Sequence, residues 1–286
     1  MLATKELNSK SWENVVKKAY LKSIAFCGLI MLISFVLALF LQFLISGEFF
    51  MNYDNISDSS TMIQRNFMKL ILNIIIVNNL CVSFRKYFLD GAKSDHFSFA
   101  AIKYAFVNGR YFKFMKTLFV KDIYLNLWGV LYVLPVLFFS LTRSIVLIFV
   151  IMIVCIIGFL IKSYEYSFVE YILAEDDKIN TKDAIDLSIM FAKPHIKNIF
   201  LLDLSYYFKV LVLQVPFIIW LAIVMRNSAS MSMIVVLVIV LMVIEVLIKP
   251  HYLGAKAQLY LAVKFETNRK SHQELKQAAS EELEIS

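Results

Sequence analysis

The sequence predicts an all-α, polytopic membrane protein: a bundle of six transmembrane helices, flanked by interfacial amphipathic helices, with both termini cytoplasmic. Three observations carry that prediction. The chain is 60% hydrophobic, with a mean hydropathy of +0.70 and only 18% charged residues, whereas a soluble domain is roughly 45–50% apolar and about 25% charged. The apolar residues gather in runs of about 20, the length a helix needs to cross roughly 30 Å of hydrocarbon. The basic residues are shared very unequally among the connections between those runs.

Taken in order, residues 1–23 form a cytoplasmic amphipathic N-terminus. Trp12, Val15, Val16, Ala19 and Tyr20 fall at helical spacing while Glu13, Lys17 and Lys18 point elsewhere, which suits a helix lying on a membrane surface. The first span, 24–46, exceeds the apolar core of a secretory signal and lacks a small-residue cleavage site, so it is expected to be retained. A polar connection, Gly47–Arg65, contains an Asn-Ile-Ser sequon at Asn55. The second span, 66–84, carries Lys69, Asn73, Asn78 and Asn79, and amides within a span commonly hydrogen-bond neighbouring helices.

A cytoplasmic segment, 85–121, follows, with eight basic residues interleaved with aromatic ones. That mixture can stack on single-stranded nucleic acid, but beside apolar spans it suits an anionic leaflet, and no nucleic acid is expected. The third span, 123–142, holds Pro135, which removes a backbone donor and predicts a kink or break. A turn at Arg143 leads to the fourth span, 144–163, making an antiparallel hairpin. The second cytoplasmic segment, 164–196, ends in a helix opened by Thr181, whose hydroxyl is expected to cap the first turn; Asp183 suits the positive end of its dipole. Pro194 stops that helix. The fifth span, 197–225, contains Asp203, Lys209 and Pro216; the sixth, 231–249, contains Glu245 and is ended by Pro250, His251 and Tyr252. The six-span domain extends over 24–264, and 265–286 is expected to be a soluble or disordered tail.

Orientation follows from charge. Of the 29 Lys and Arg residues, 24 lie on the side of the termini, 85–121 and 162–197, while Arg65, Arg143 and Arg226 lie on the other. The positive-inside rule then puts both termini in the cytoplasm of a bacterial plasma membrane, and accounts for the net charge of +7. The expected partners are the lipid bilayer, anionic headgroups on the cytoplasmic side, and a membrane or cytoplasmic protein.

The residues offer little conventional chemistry. Seven isolated glycines form no phosphate-cradling loop, and four histidines and three cysteines lack metal-ligand or nucleophile spacing. No cofactor, metal or catalytic residue is expected. The candidates are ionisable groups at membrane depth, each costing at least about 2.5–3.5 kcal/mol to insert unless paired or lining a polar cavity. These are Asp203, Lys209, Glu245 and Lys69. Along a helix entered at Lys197, Asp203 stands roughly 9 Å deep and Lys209 roughly 18 Å. Lys209 is a candidate partner of Glu245, which also has Lys249 one turn on. Tyr164, Tyr166, Tyr171, Tyr206, Tyr207 and Tyr252 form a candidate interfacial motif.

A resemblance accompanies this reading. LWGVLYVLP at 127–135, KSYEYSFVEYILAEDD at 162–177, DAIDLS at 183–188, LLDLS at 201–205 and KPHYLGAKAQLY at 249–260 together resemble the bacterial integral-membrane family known as domain of unknown function 975. Two stretches depart from it: MFAKPH at 190–195 and YYFKVLVLQVP at 206–216, where the family is richer in glycine and tryptophan. The resemblance implies a multi-span fold with cytoplasmic motifs and carries no catalytic residue. Three functions are compatible: a non-enzymatic envelope, accessory, immunity or stress-related factor, a transporter or its membrane subunit, and an intramembrane lipid-acting enzyme. The first is favoured, with 164–196 as the working surface.

Overall fold

The computed structural model describes residues 17–46, 73–107, 109–140, 144–225 and 231–285. Lys69, the Asn55 sequon, most of the amphipathic N-terminus, residues 66–72 of the second span, and the turns at Arg143 and Arg226–Ser230 lie outside the described residues. Those described are almost entirely helical, with no strand among them. The helices are α1 (Lys17–Ser46), α2 (Asn78–Ser94), α3 (Arg110–Ser140), α4 (Ile145–Glu165), α5 (Val169–Glu175), α6 (Thr181–Ala192), α7 (Ile196–Met225) and α8 (Met231–Ile285). A π-helical turn, Asn73–Val77, precedes α2; 3-10 turns at Phe99–Phe106 and Lys193–His195 precede α3 and α7.

Five of these stretches are long and apolar enough to cross a membrane: Ala19–Leu37, Arg110–Ser140, Ile145–Glu175, Thr181–Trp220 and Val236–Arg269. Four overlap predicted spans three to six, and the first overlaps span one. In α3 and α4 none of the most apolar window is buried in the protein, and in the others at most 22% is. Large apolar side chains such as Leu137, Val146, Val154, Leu211 and Ile219 are half or more exposed. A soluble protein does not leave such a continuous surface open to water, whereas lipid tails solvate it without cost. The apolar parts pair off, α3 with α4, α7 with α8, and α1 with α8.

The densest packing lies at one end of these rods. There α2, α5, α6, the 3-10 segment, the first turns of α1, α3 and α7, and residues 251–264 of α8 close into a single core. Phe26, Phe88, Phe114, Phe168, Tyr171 and Leu173 are fully buried in it, each stabilising the hub by about 1.5–3 kcal/mol on burial. Phe26 stacks on Tyr87 at 3.9 Å, fastening α1 to α2. Segment 85–121, predicted to rest on an anionic leaflet, supplies much of this hub. The connector's α5, from Val169 to Ala174, is largely interior, and its exposed surface is mainly α6, at Lys182, Asp183, Asp186 and Met190.

Several local expectations are corrected. Thr181 does not cap α6: Asn180 occupies the cap position, and the Thr181 hydroxyl meets that of Thr117 on α3 at 2.9 Å. Asp183 does lie in the first turn, and Ala184, Ser188 and Phe191 face the core. Pro250, expected to end the sixth span, is carried inside a continuous helix, and so are Pro135 and Pro216. Near Pro250, the Tyr20 hydroxyl donates to the Leu247 carbonyl at 3.2 Å, tying α1 to α8. In the predicted tail, α8 continues as helix to Ile285.

Candidate functional site: a buried ionic hub

The hub's interior is charged as well as apolar. Arg85 on α2 donates to Glu170 of α5 at 2.9 Å, and Lys121 of α3 reaches the other oxygen of the same carboxylate at 3.2 Å. The side chains are 19%, 18% and 12% exposed respectively. Lys121 also approaches Asp122 at 3.7 Å, and Asp122 accepts from the Asn78 amide at 2.8 Å. Glu170 therefore joins α2, α3 and α5 through one side chain.

A second group lies alongside. Asp203 of α7 accepts from the Tyr252 hydroxyl at 2.8 Å and from Lys256 at 3.3 Å; Lys256 also donates to Tyr252 at 2.8 Å. Lys256 and Asp203 are 8% and 10% exposed, so this triangle is nearly dry. Tyr252 stacks on Tyr206 with centroids 4.3 Å apart. Tyr171 connects the first group to Tyr260: its ring stacks on Tyr260 at 5.5 Å and lies 5.4 Å beneath the Arg85 guanidinium.

Two further knots close the rim. Glu175, at the end of α5, accepts from Lys264 at 2.7 Å, from Tyr260 at 2.6 Å, and from Lys93. Asp177 pairs with Arg110, and its backbone carbonyl accepts from Lys113 at 2.6 Å. The hydrogen bond from Arg110 holds the Asp177 carboxyl below its ordinary range, and burial pushes the Tyr104 hydroxyl up to about 12. Where α4 turns into α5, the Ser188 hydroxyl donates to the Glu165 carbonyl at 2.9 Å and accepts from the Phe168 N–H at 3.2 Å. One buried side chain thus satisfies both backbone groups freed by that turn.

Taking ions out of water costs several kcal/mol each unless opposite charge and hydrogen bonds replace the lost hydration. Here the deep carboxylates have their cations within the protein. The arrangement fixes helix directions, and among the described residues no group of three His, Cys, Asp or Glu side chains is placed to hold a metal ion.

The structure distributes the predicted residues unequally. Asp203 and Tyr252 meet, and Tyr206 stacks beside them. Tyr171 is wholly interior and Tyr166 nearly so; Tyr164 sits edge-on to Phe200, and Tyr207 is 64% exposed. Lys209 and Glu245 do not pair: Glu245 takes Lys249 at 2.9 Å, and Lys209 lies exposed on α7. Sequence reasoning missed Arg85, Lys121, Glu170 and Lys256. Lys256 alone carried a readable signal, a lone cation one turn after Tyr252 among Gly254, Ala255 and Ala257, where small side chains allow close helix packing.

No protein-family profile, curated protein or solved structure matches this chain. Fold and site together define a helical membrane protein built around an ionic hub at one end of its apolar helices.

Proposed function

We propose that this is a six-span, non-enzymatic protein of the bacterial plasma membrane, its termini and hub cytoplasmic, that works by binding membrane or protein partners as an accessory, immunity or stress-related factor. The observation that carries this reading is the closure of the hub's charges on one another: Glu170 on Arg85 and Lys121, and Asp203 on Lys256 and Tyr252. A polar pathway through the bilayer would instead need Lys209 and Glu245 to face each other, and Glu245 is engaged by Lys249. The cytoplasmic orientation is supported by co-packing: 85–121, 164–196 and 249–264, which the positive-inside count assigns to one side, contribute to one core. The proposed kinship with the domain of unknown function 975 family rests on the sequence resemblance; Tyr171, Ser188, Asp203, Tyr252 and Tyr260, drawn from four of the resembling stretches, converge in the hub.

The test is flux. Proteoliposomes of the full chain are expected to move no solute from a panel of ions, amino acids and sugars above empty vesicles. Solute-specific flux that disappears in Lys209→Ala and Glu245→Ala replaces this reading with transport, the alternative favoured by Pro135 and Pro216 within apolar helices. A maleimide that cannot cross the membrane, applied to intact cells, should leave Asn180→Cys and Ser286→Cys unlabelled.

A further inference from the structure

A cavity of about 420 Å³ opens on the hub between α2, the 3-10 helix Phe99–Phe106 and the start of α3. Its lining carries Lys86, Lys103 and Arg110, with His96 at one end and Asp90 as its single carboxylate. Asp90 is committed to Lys86 at 2.9 Å, and Arg110 is held by Asp177. Lys103 is exposed and makes no ion pair among the described residues. Lys86 and Arg110 both stand over the Tyr104 ring, 5.1 and 4.5 Å from its centroid. Lys86 and Arg110, each already paired with a carboxylate, share one ring, and Lys103 adds the positive charge that an anion with several oxygens would take up while accepting hydrogen bonds from all three.

The neighbourhood of the cavity selects among anions. On the same 3-10 helix, Phe99 and Phe106 are 42% and 40% exposed, and Val107 beyond it 45%. Phe99 rests edge-on against Phe26, in the first turns of apolar α1, at 5.8 Å. On the other flank Tyr111 packs beside Phe106 at 5.9 Å and donates to the Ile75 carbonyl at 3.0 Å, within the predicted second span. The exposed rings of Phe99 and Phe106 therefore belong to the same 3-10 helix that lines the cavity, and they neighbour apolar α1 and the predicted second span. A free anion in water gains nothing from those rings, whereas a lipid uses both the basic cavity and the apolar rim.

We propose that this cavity binds the phosphate headgroup of an anionic phospholipid, with Lys103, Lys86 and Arg110 around the phosphate and Phe99 and Phe106 against the upper acyl chains. The inference rests on the membrane placement proposed above, and the two fail separately: an inverted topology would appear in the maleimide labelling while leaving Lys103-dependent lipid binding intact.

The experiment titrates the full-length protein, in a neutral detergent, with short-chain phosphatidylglycerol, short-chain phosphatidylcholine or inorganic phosphate, reading binding by native mass spectrometry. Saturable binding of phosphatidylglycerol and not phosphatidylcholine is expected, about fivefold weaker in Lys103→Ala. Lys116→Ala, an exposed lysine of α3 outside the cavity, is expected to bind as the parent does. Phe106→Ser should weaken phosphatidylglycerol binding. If inorganic phosphate binds as tightly as the lipid and Phe106→Ser changes nothing, the lipid assignment is overturned in favour of a soluble anion. Equal losses in Lys103→Ala and Lys116→Ala, or no saturable binding, overturn the site itself.

Discussion

Replacing Lys256 with methionine isolates what the hub's driest ion pair contributes. Methionine keeps the unbranched stem of the side chain, so the substitution removes the ammonium and little packing. Asp203, 10% exposed, then loses both contacts to Lys256, at 3.3 and 3.4 Å, and keeps only the Tyr252 hydroxyl. Removing one partner of a buried pair costs about 3–5 kcal/mol, because the remaining charge stays desolvated. Removing both partners with apolar groups of similar volume is often neutral, so Lys256→Met with Asp203→Leu should recover most of the loss, and the double-mutant cycle should give a coupling above about 3 kcal/mol. Reversible unfolding in mixed micelles of a mild detergent and dodecyl sulfate, followed by far-UV circular dichroism, measures each corner. If Lys256→Met is as stable as the parent, or the double variant loses the sum of the two single losses, the pair does not hold α7 to α8 and the account of the hub fails.

Other outcomes follow from the same geometry. Ser188→Ala leaves the buried Phe168 N–H without its acceptor, a loss of about 1–3 kcal/mol in the same unfolding assay. A Cβ at Gly91 would sit 2.1 Å from the Phe97 ring, so Gly91→Ala should cost about 1–3 kcal/mol by overpacking and displace Phe97 from Tyr87, read as a change in near-UV dichroism. Asp177, whose carboxyl is held below its ordinary value of 3.8 by Arg110, stabilises the loop at pH above 3.8 and loses that contribution as pH falls through its lower folded value. Hydrogen exchange at 176–180 should therefore rise selectively on acidification below pH 3.8, and Arg110→Ala should abolish the selectivity.

The membrane character was legible because hydropathy is local: each apolar run is continuous, so counting residues against the thickness of hydrocarbon locates it. The hub was not legible, for a physical reason visible in its pairs. Arg85 and Glu170 are 85 positions apart and Asp203 and Lys256 are 53 apart, distances at which no spacing rule operates. One by one, Arg85 and Lys121 resemble the six other basic residues of 85–121, and only tertiary packing separates an interior arginine from a solvated one. Asp203 was found because it interrupts an apolar run. Lys256 was passed over because Pro250 was expected to end the helix, although the helix continues and carries Lys256 back to Asp203. The tyrosines illustrate the same limit: an aromatic next to a span suits the headgroup region equally well on sequence grounds whether its ring stays exposed, as that of Tyr207 does, or is interior, as that of Tyr171 is.

The hub draws on side chains from Ser23 to Lys264, and residues 252–264 of α8 supply Tyr252, Lys256, Tyr260 and Lys264. While the nascent chain emerges, Asp203 and Glu175 are therefore already made before these late partners exist. The earlier rods must enter the bilayer and wait, and assembly locks only when the final apolar helix has left the ribosome. A message truncated after Lys249 would yield a chain with its hydrophobic runs in place, Asp203 unmatched and Glu175 left with Lys93 alone, the kind of half-finished product that membrane proteases remove.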